Sequence, residues 1–384
     1  MRQILPLNVS SRLLARRYLS SVVSHRRTRP KVPNAHLPFN DEGTGNLDTL
    51  LTFATDERAA RIALTMITDP TDATTGHLLA VHGAVNTVML LADDAPVPGL
   101  DNVEAQLWRK RLLPRVEPRL IQEALDLTEH GGFKTLIPGD GNYPGSLHDL
   151  GDGAPYVLWV KGEESLLAMP ESDRFTITGA RAATSYGVQV ANEISADFAS
   201  DGKVIVAGGA YGIDGEVHRS ALAVAGHTIA VMAGGIDRPY PAGHRDLLGR
   251  VSDVGLLVSE QPPGATPTRA RFMARARIEA ALSGSTTIVE AGSRSGSLLV
   301  AQQAHSLGRS VGAVPGPVTS ATSYGPHRLI AQGIASVVTN ANDVRALSEK
   351  QPSSGSMPQL SVEAFRMERY SARARAAHSA HRDL

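Results

Sequence analysis

The spacing of apolar positions changes character partway along the chain. Between Asp56 and about His130 they recur at helical intervals, in ERAARIALTMI, in HLLAVHGAVNTVMLLAD, and in LWRKRLLPRVEPRLIQEALDLTEHGG. Prolines interrupt the last of these and Gly131-Gly132 closes it, so the pattern predicts a small all-α domain over 55–132. From Phe133 the period is different. Short apolar runs recur: FKTLIPG, YVLWVKG, FTITGA, KVIVAGG, HTIAVMAGG, GLLVSE, TTIVEA, SVGAVPG and ASVVTN. Helical patterns such as GVQVANEISADFASDG and GEVHRSALAVAG alternate with the central ones. Continuous apolar strands separated by helices signify a parallel sheet covered on both faces. The expectation is an α/β fold, a doubly wound parallel sheet over 133–342. The stretch 343–384 is polar, with room for one helix and too few apolar positions for a further domain.

Charge changes the picture at the N-terminus. Met1 to Phe39 carries eight Arg and Lys and no acid, and FNDEGTGN follows as a linker, so 1–54 is expected to be a basic arm. A transit peptide has this composition too, as does a disordered arm or an upstream start codon, and the latter two are favoured. The whole chain balances 38 basic against 38 acidic residues, which leaves everything after Phe39 net acidic. A protein-wide positive field is therefore not available, and any anion site must be a local patch. With no cysteine, disulfides, thiolate zinc sites and cysteine nucleophiles are excluded. No run of about 18 apolar residues exists, so no membrane span is predicted and a cytoplasmic location is expected.

In an open α/β sheet, ligands bind outside the carboxyl ends of the strands. Here nearly every strand ends in small residues: TGARAATSYG, AGGAYGID, AGGIDRPYP, EAGSRSGS and VPGPVTSATSYG. Glycines admit a ligand to the backbone, and the helix starts that follow offer free N–H groups. One such loop would be a turn; five on one edge point to a phosphate-rich ligand. Gly208, Gly209 and Gly212 do not have the dinucleotide spacing, and the next strand lacks an acid at its tip. The one Gly-Lys pair is followed by Val204, which removes a Walker site. GSRSG places its serine one position away from a nucleophile elbow. Asp214 and His218 are four apart but lack a third metal ligand, so a helix cap and a packing histidine are favoured. Glu260 and Glu290 each close a strand, where capping backbone N–H groups is favoured over acid–base work. No catalytic residue, metal or cofactor is expected. Arg269, Arg271, Arg275, Arg277, Arg294 and Arg309 face only Glu279 and Glu290 in the same stretch, which favours a phosphate backbone as partner.

The ordered set TGARAATSYG, AGGAYGIDGEVH, AVMAGGIDRPYP, LLVSEQPPG, RFMARARIEAALSG, IVEAGSRSGSLLVAQQAHSLGR, GAVPGP and SYGPHRLI resembles the DNA-processing protein A (DprA/Smf) family. LIPGDGNYPGSLHDL and APYVLWVKG resemble its lead-in, and the likeness runs from about Asp56 to Asn342. The resemblance implies an extended Rossmann-like domain behind a helical one. It implies a non-enzymatic protein that binds single-stranded DNA as a homodimer, protects incoming strands in natural transformation, and loads a RecA-type recombinase. On that pattern Gly179, Ala180, Arg181, Gly208, Gly209, Gly212, Arg275, Arg277, Ser295, Gly296 and Ser297 match the strand-binding pocket and its phosphate loops. Tyr211 and His327 are the candidate base contacts. The chain departs from the family in three places: Ala180 makes the usual Gly-Ser-Arg a Gly-Ala-Arg, Ala276 replaces an asparagine, and His327 replaces another. The two missing amides keep a second reading open, a Rossmann-like sensor or hydrolase of a nucleotide-derived small molecule. The phosphoribohydrolase signature has no match: its nearest counterpart, AGGIDRPYP, lacks the Gly-Thr and the glutamate.

Overall fold

Aspartates open three successive helices from residue 57 onward. In the computed structural model, which describes residues 50–349, Asp56 caps α1 (Glu57–Ile67) by accepting from the Ala59 amide. Asp72 caps α2 (Ala73–Ala92) in the same way through Thr75. Asp101 and Glu104 form a reciprocal capping box on α3 (Asn102–Leu112), and Pro118 starts α4 (Pro118–His130). Leu64, Leu78, Leu91, Trp108, Leu112 and Ile121 meet in one core, where the Trp108 indole donates to Thr75 at 2.9 Å. On length and composition α2 would suffice to cross a bilayer. It is bent at Gly83, where φ is +76°, and its buried residues, Leu78, Leu79, Val88 and Leu91, belong to this core. The amide of Ala84 opens the second half of α2 and donates to Glu57 at 2.8 Å.

Nine strands follow among the described residues, one in each apolar run. They are β1 (Lys134–Leu136), β2 (Leu158–Gly162), β3 (Arg174–Thr178), β4 (Val204–Gly208), β5 (Thr228–Val231), β6 (Leu256–Ser259), β7 (Ser285–Ile288), β8 (Ser310–Ala313) and β9 (Ser336–Val337). Their order in the single sheet is β1-β2-β6-β5-β4-β3-β7-β8-β9. From β3 onward every pairing is parallel, as expected; β2 runs antiparallel to β6 and β1 antiparallel to β2, so the sheet is mixed. An apolar run shows that a strand is buried, not which way it runs, and these two precede the first crossover helix.

The interleaved helices are α5 (Ser185–Ser200), α6 (Ile213–Ala223), α7 (Arg245–Val254), α8 (Arg269–Ala281), α9 (Ser297–Ser306), α10 (Tyr324–Ala331) and α11 (Ala341–Glu349). Along β4 the side chains alternate between two cores: Ile205 and Ala207 join Phe175, Ile194, Phe198 and Val217, while Val204 and Val206 join Ile229, Val231, Val258 and Ile278. Val344 of α11 enters the first of these cores, and Arg345 reaches back to Asp197 and Asp201 across the Phe198 ring. The division placed at 342 therefore falls inside a helix that the sheet needs for cover. The helical region is also continuous with the sheet. Ile62 packs with Val157 and Trp159, the Trp159 indole donates to Thr128 at 3.0 Å, and Arg58 binds the Thr135 carbonyl and the Asp140 carboxylate.

The order of the strands places one switch point in the sheet. The chain leaves β3 toward β4, β5 and β6 on one side, then crosses over to β7, β8 and β9 on the other. Adjacent β3 and β7 thus send their following loops in opposite directions, which opens a crevice at their carboxyl ends.

Candidate nucleic-acid interface

The crevice is an open cleft of about 610 Å³. The loop after β3 lines it with Gly179, Ala180 and Arg181; the loop after β7 and the start of α9 line it with Gly292, Ser293, Arg294, Ser295, Gly296 and Ser297; α8 contributes Phe272, Arg275 and Ala276. No side chain caps α9, and the amides of Leu298 and Leu299 turn back to the Ser295 and Gly296 carbonyls at 3.3 and 3.0 Å. The Ser295 and Ser297 hydroxyls share a hydrogen bond of 2.8 Å at that opening. Arg181 and Arg294 are exposed and make no ion pair among the described residues. The Arg181 guanidinium instead lies over the Phe272 ring, 5.1 Å from its centroid. This holds a flat, weakly hydrated cation at the mouth of the cleft.

The acids nearby are all committed. Glu290 accepts from the Thr184 amide (2.9 Å), the Thr184 hydroxyl (2.7 Å) and Thr322 (2.9 Å), so it caps α5 as the strand-closing position suggests. Asp214 accepts from Thr178 at 2.7 Å and from the Ala210 amide at 3.3 Å, which braces the β4 loop rather than the first turn of its own helix. Beneath the floor, Arg275 meets Glu279 at 2.5 Å and also lies over Phe272. Glu279 is fully buried with no other polar partner. Burial pushes its carboxyl up to about 7, the Asp214 charge adds to that, and Arg275 opposes it. His218 is buried between Thr228 and the Gly208 carbonyl, and burial lowers its pKa, so it is a neutral packing residue. Among the described residues no group of three metal-ligating side chains comes together.

Several predicted site residues stand elsewhere. Arg277, two positions after Arg275, turns away from the cleft. It forms a two-pronged pair with Glu260 (2.9 and 2.5 Å) and donates to the Gly153 and Ala274 carbonyls, with 6% exposure. Its donors are spent on the seam with the helical region, so it is a structural residue and not a phosphate contact. Arg309, from the same cluster, is held the same way by Glu171 and Asp149. Gly208, Gly209 and Gly212 lie behind the cleft wall. A Cβ on Gly208 would meet the Arg275 guanidinium and Asp214 at 2.6 Å; one on Gly212, where φ is +75°, would meet the Ala180 carbonyl at 2.2 Å. Close loop packing explains both glycines, and Gly179 too, whose Cβ would meet the Glu290 carbonyl at 2.8 Å; Gly292 and Gly296 are the ones with open space beside them. Tyr211 stacks edge-on against His244, outside the cleft lining. His327 sits on α10 in a separate shallow hollow with Val318, Tyr324 and Arg328. Ala276 does line the cleft, as an apolar wall where an amide was expected.

Phe272 and Arg294 were missed as site residues. Phe272 was legible in principle: with Arg275 three positions on, it shares one face of α8. Arg294 was counted in the cluster but carries no motif of its own.

Residues 134–349 match the family described as DNA recombination-mediator protein A. The putative DNA processing protein DprA of Mycobacterium tuberculosis (strain ATCC 25618 / H37Rv) is 44% identical over 230 residues, which are 57% of this chain and 59% of that one. The chain thus spans less than two thirds of that relative's length. The DNA processing protein DprA of Streptococcus pneumoniae is 37% identical over 262 residues, 68% of this chain and 88% of that protein. Among solved structures, DNA processing protein A of Streptococcus pneumoniae superposes with a TM-score of 0.59 at 27% identity, covering 78% of this chain and 97% of its own. The Helicobacter pylori protein, solved for its single-stranded DNA binding mode, gives 0.51 at 28% identity, covering 56% and 94%.

Proposed function

The chain belongs to the DNA recombination-mediator protein A family, and on that premise we propose that the switch-point cleft seats the backbone of single-stranded DNA and breaks no bond in it. One observation carries this reading: two exposed guanidinium groups, Arg181 and Arg294, face a glycine- and serine-lined cleft whose neighbouring carboxylates are all bonded to the protein itself. Serine hydroxyls at the start of α9 and two unpaired cations suit phosphates, which are alike in every sequence. The Arg181 guanidinium plane laid over the Phe272 ring offers a flat surface on which a base can stack. The same commitment of Asp214 and Glu290 to backbone and hydroxyl donors supports a binder rather than a hydrolase. Homodimer formation and transfer of the strand to a RecA-type recombinase complete the proposal. The exposed Val318 and Tyr324 beside His327 supply an apolar surface suited to self-association.

The test is fluorescence anisotropy with labelled oligo-dT, its duplex and free mononucleotides across a salt series. The expected result is preference for the single strand, with affinity falling as salt rises. Equal binding of duplex, or a response to mononucleotide alone, overturns the proposal and favours the small-molecule sensor. Light scattering with and without the strand checks the dimer.

A further inference from the structure

A second basic hollow adjoins the cleft. It is a groove of about 510 Å³ between the loop after β5 and the start of α7, lined by Lys161, Asp237, Arg238, Tyr240 and Arg245. Three of these are cations in a chain whose residues after Phe39 are net acidic. The one acid among them is engaged: Asp237 accepts from the Gly264 amide at 2.8 Å, and its side chain is only 15% exposed against 81% for Arg238, its loose partner at 3.5 Å. Arg245 is exposed, and the Lys161 ammonium makes only a distant approach to the Phe133 ring. The wall between the two hollows is aromatic. Tyr240 lines the groove, Phe272 lines the cleft, and the two rings meet edge to face at 5.9 Å. Tyr240 keeps nearly half its surface exposed.

We infer that the groove is a second phosphate-tracking segment for the same unpaired strand, which leaves the cleft over the Phe272 and Tyr240 rings and lays its further phosphates against Arg238, Arg245 and Lys161. This rests on the cleft reading above. A groove that follows a strand needs spaced cations and an interleaved ring, and no shape matched to a particular base; the residues here have that composition. Duplex does not suit it, because the bases must unstack to pass the two rings.

The inference predicts a dependence on strand length. Oligo-dT of about 5 and about 16 nucleotides, the span that single-strand sites cover, should bind wild-type protein with clearly different affinity. The gain of the longer strand should exceed the count of added registers. The Arg238→Ala/Arg245→Ala protein should lose that gain several-fold and lower the salt slope for the longer strand by about 1.4, roughly 0.7 per phosphate contact. The short strand should bind it as before, and Arg250→Ala, an exposed arginine of α7 outside the groove, should change neither. Unchanged binding of the longer strand by the double variant overturns the groove while the cleft stands. So does an equal loss for both lengths, which would place these arginines in the cleft. A change of molecular mass in the double variant without any length effect would make the groove a contact between copies. Wild-type protein that binds neither strand removes the cleft reading and this one together.

Discussion

Helix α8 serves two regions, and Arg275 and Arg277 show how differently they use the same residue type. On the cleft side, Arg275 stands half-buried over a single carboxylate that burial pushes toward neutrality, with Arg181 and Arg294 unpaired nearby. On the seam side, Arg277 is closed in by a two-pronged carboxylate and two carbonyls. Both come from one stretch, RARFMARAR. The difference lies in what the rest of the fold brings to each face. An arginine with enough acceptors of its own is part of the architecture; one left short of them is available to a ligand.

The largest expected effect tests the seam. Arg277→Ala should cost about 3–5 kcal/mol of stability, because it leaves Glu260 buried without its partner. Equilibrium denaturation reads this, and the paired Arg277→Met/Glu260→Met protein should recover most of the loss. A stable single variant with weakened DNA binding would reverse the assignment of the two arginines. Next, Arg181→Ala should cost strand affinity about 1.5–3 kcal/mol, roughly ten- to a hundredfold, with unfolding unchanged. Anisotropy and a melt on the same preparation check both halves.

Glu279 offers a subtler probe of the cleft face. Its folded pKa stands near 7, above its ordinary value of 4.5. The folded state therefore holds the proton more tightly, and the stability this contributes is present at low pH and lost as pH rises through about 7. Protonated Glu279 also leaves the Arg275 charge to the ligand. Strand affinity should thus decline several-fold between pH 6 and pH 8, and Glu279→Gln should flatten both profiles. A wild-type profile without slope would show that Arg275 does not reach the strand. The smallest effect belongs to the helical region, where Glu57→Ala should cost about 1 kcal/mol by uncapping the second half of α2 and leave strand binding untouched. Tighter binding would instead reveal a phosphate site beneath that carboxylate.

Much of the fold was legible because burial leaves a rhythm in the sequence. Each of the nine apolar runs after Phe133 became a strand, and the helical spacing before it became four helices. The direction of β1 and β2 was not legible, since orientation has no periodicity. The cleft was half legible. Glycine and serine at strand ends located the edge, and Arg181 stood out by its motif. Sorting the other arginines required partners far away in the chain: Glu260 for Arg277, Glu171 and Asp149 for Arg309. Gly208 and Gly212 misled for the same reason, because what crowds them is Arg275 on one side and the Ala180 carbonyl on the other.

The packing of Ile62 and Thr128 onto Trp159 has a practical side for anyone who would cut the chain near 132 to isolate the α/β half. Such a fragment would carry an uncovered indole and bare apolar side chains around β2. Apolar side chains left without cover bind other apolar surfaces. The truncated piece would then clump before its affinity for anything else could be weighed, so the first helices are best kept as a built-in chaperone for that margin.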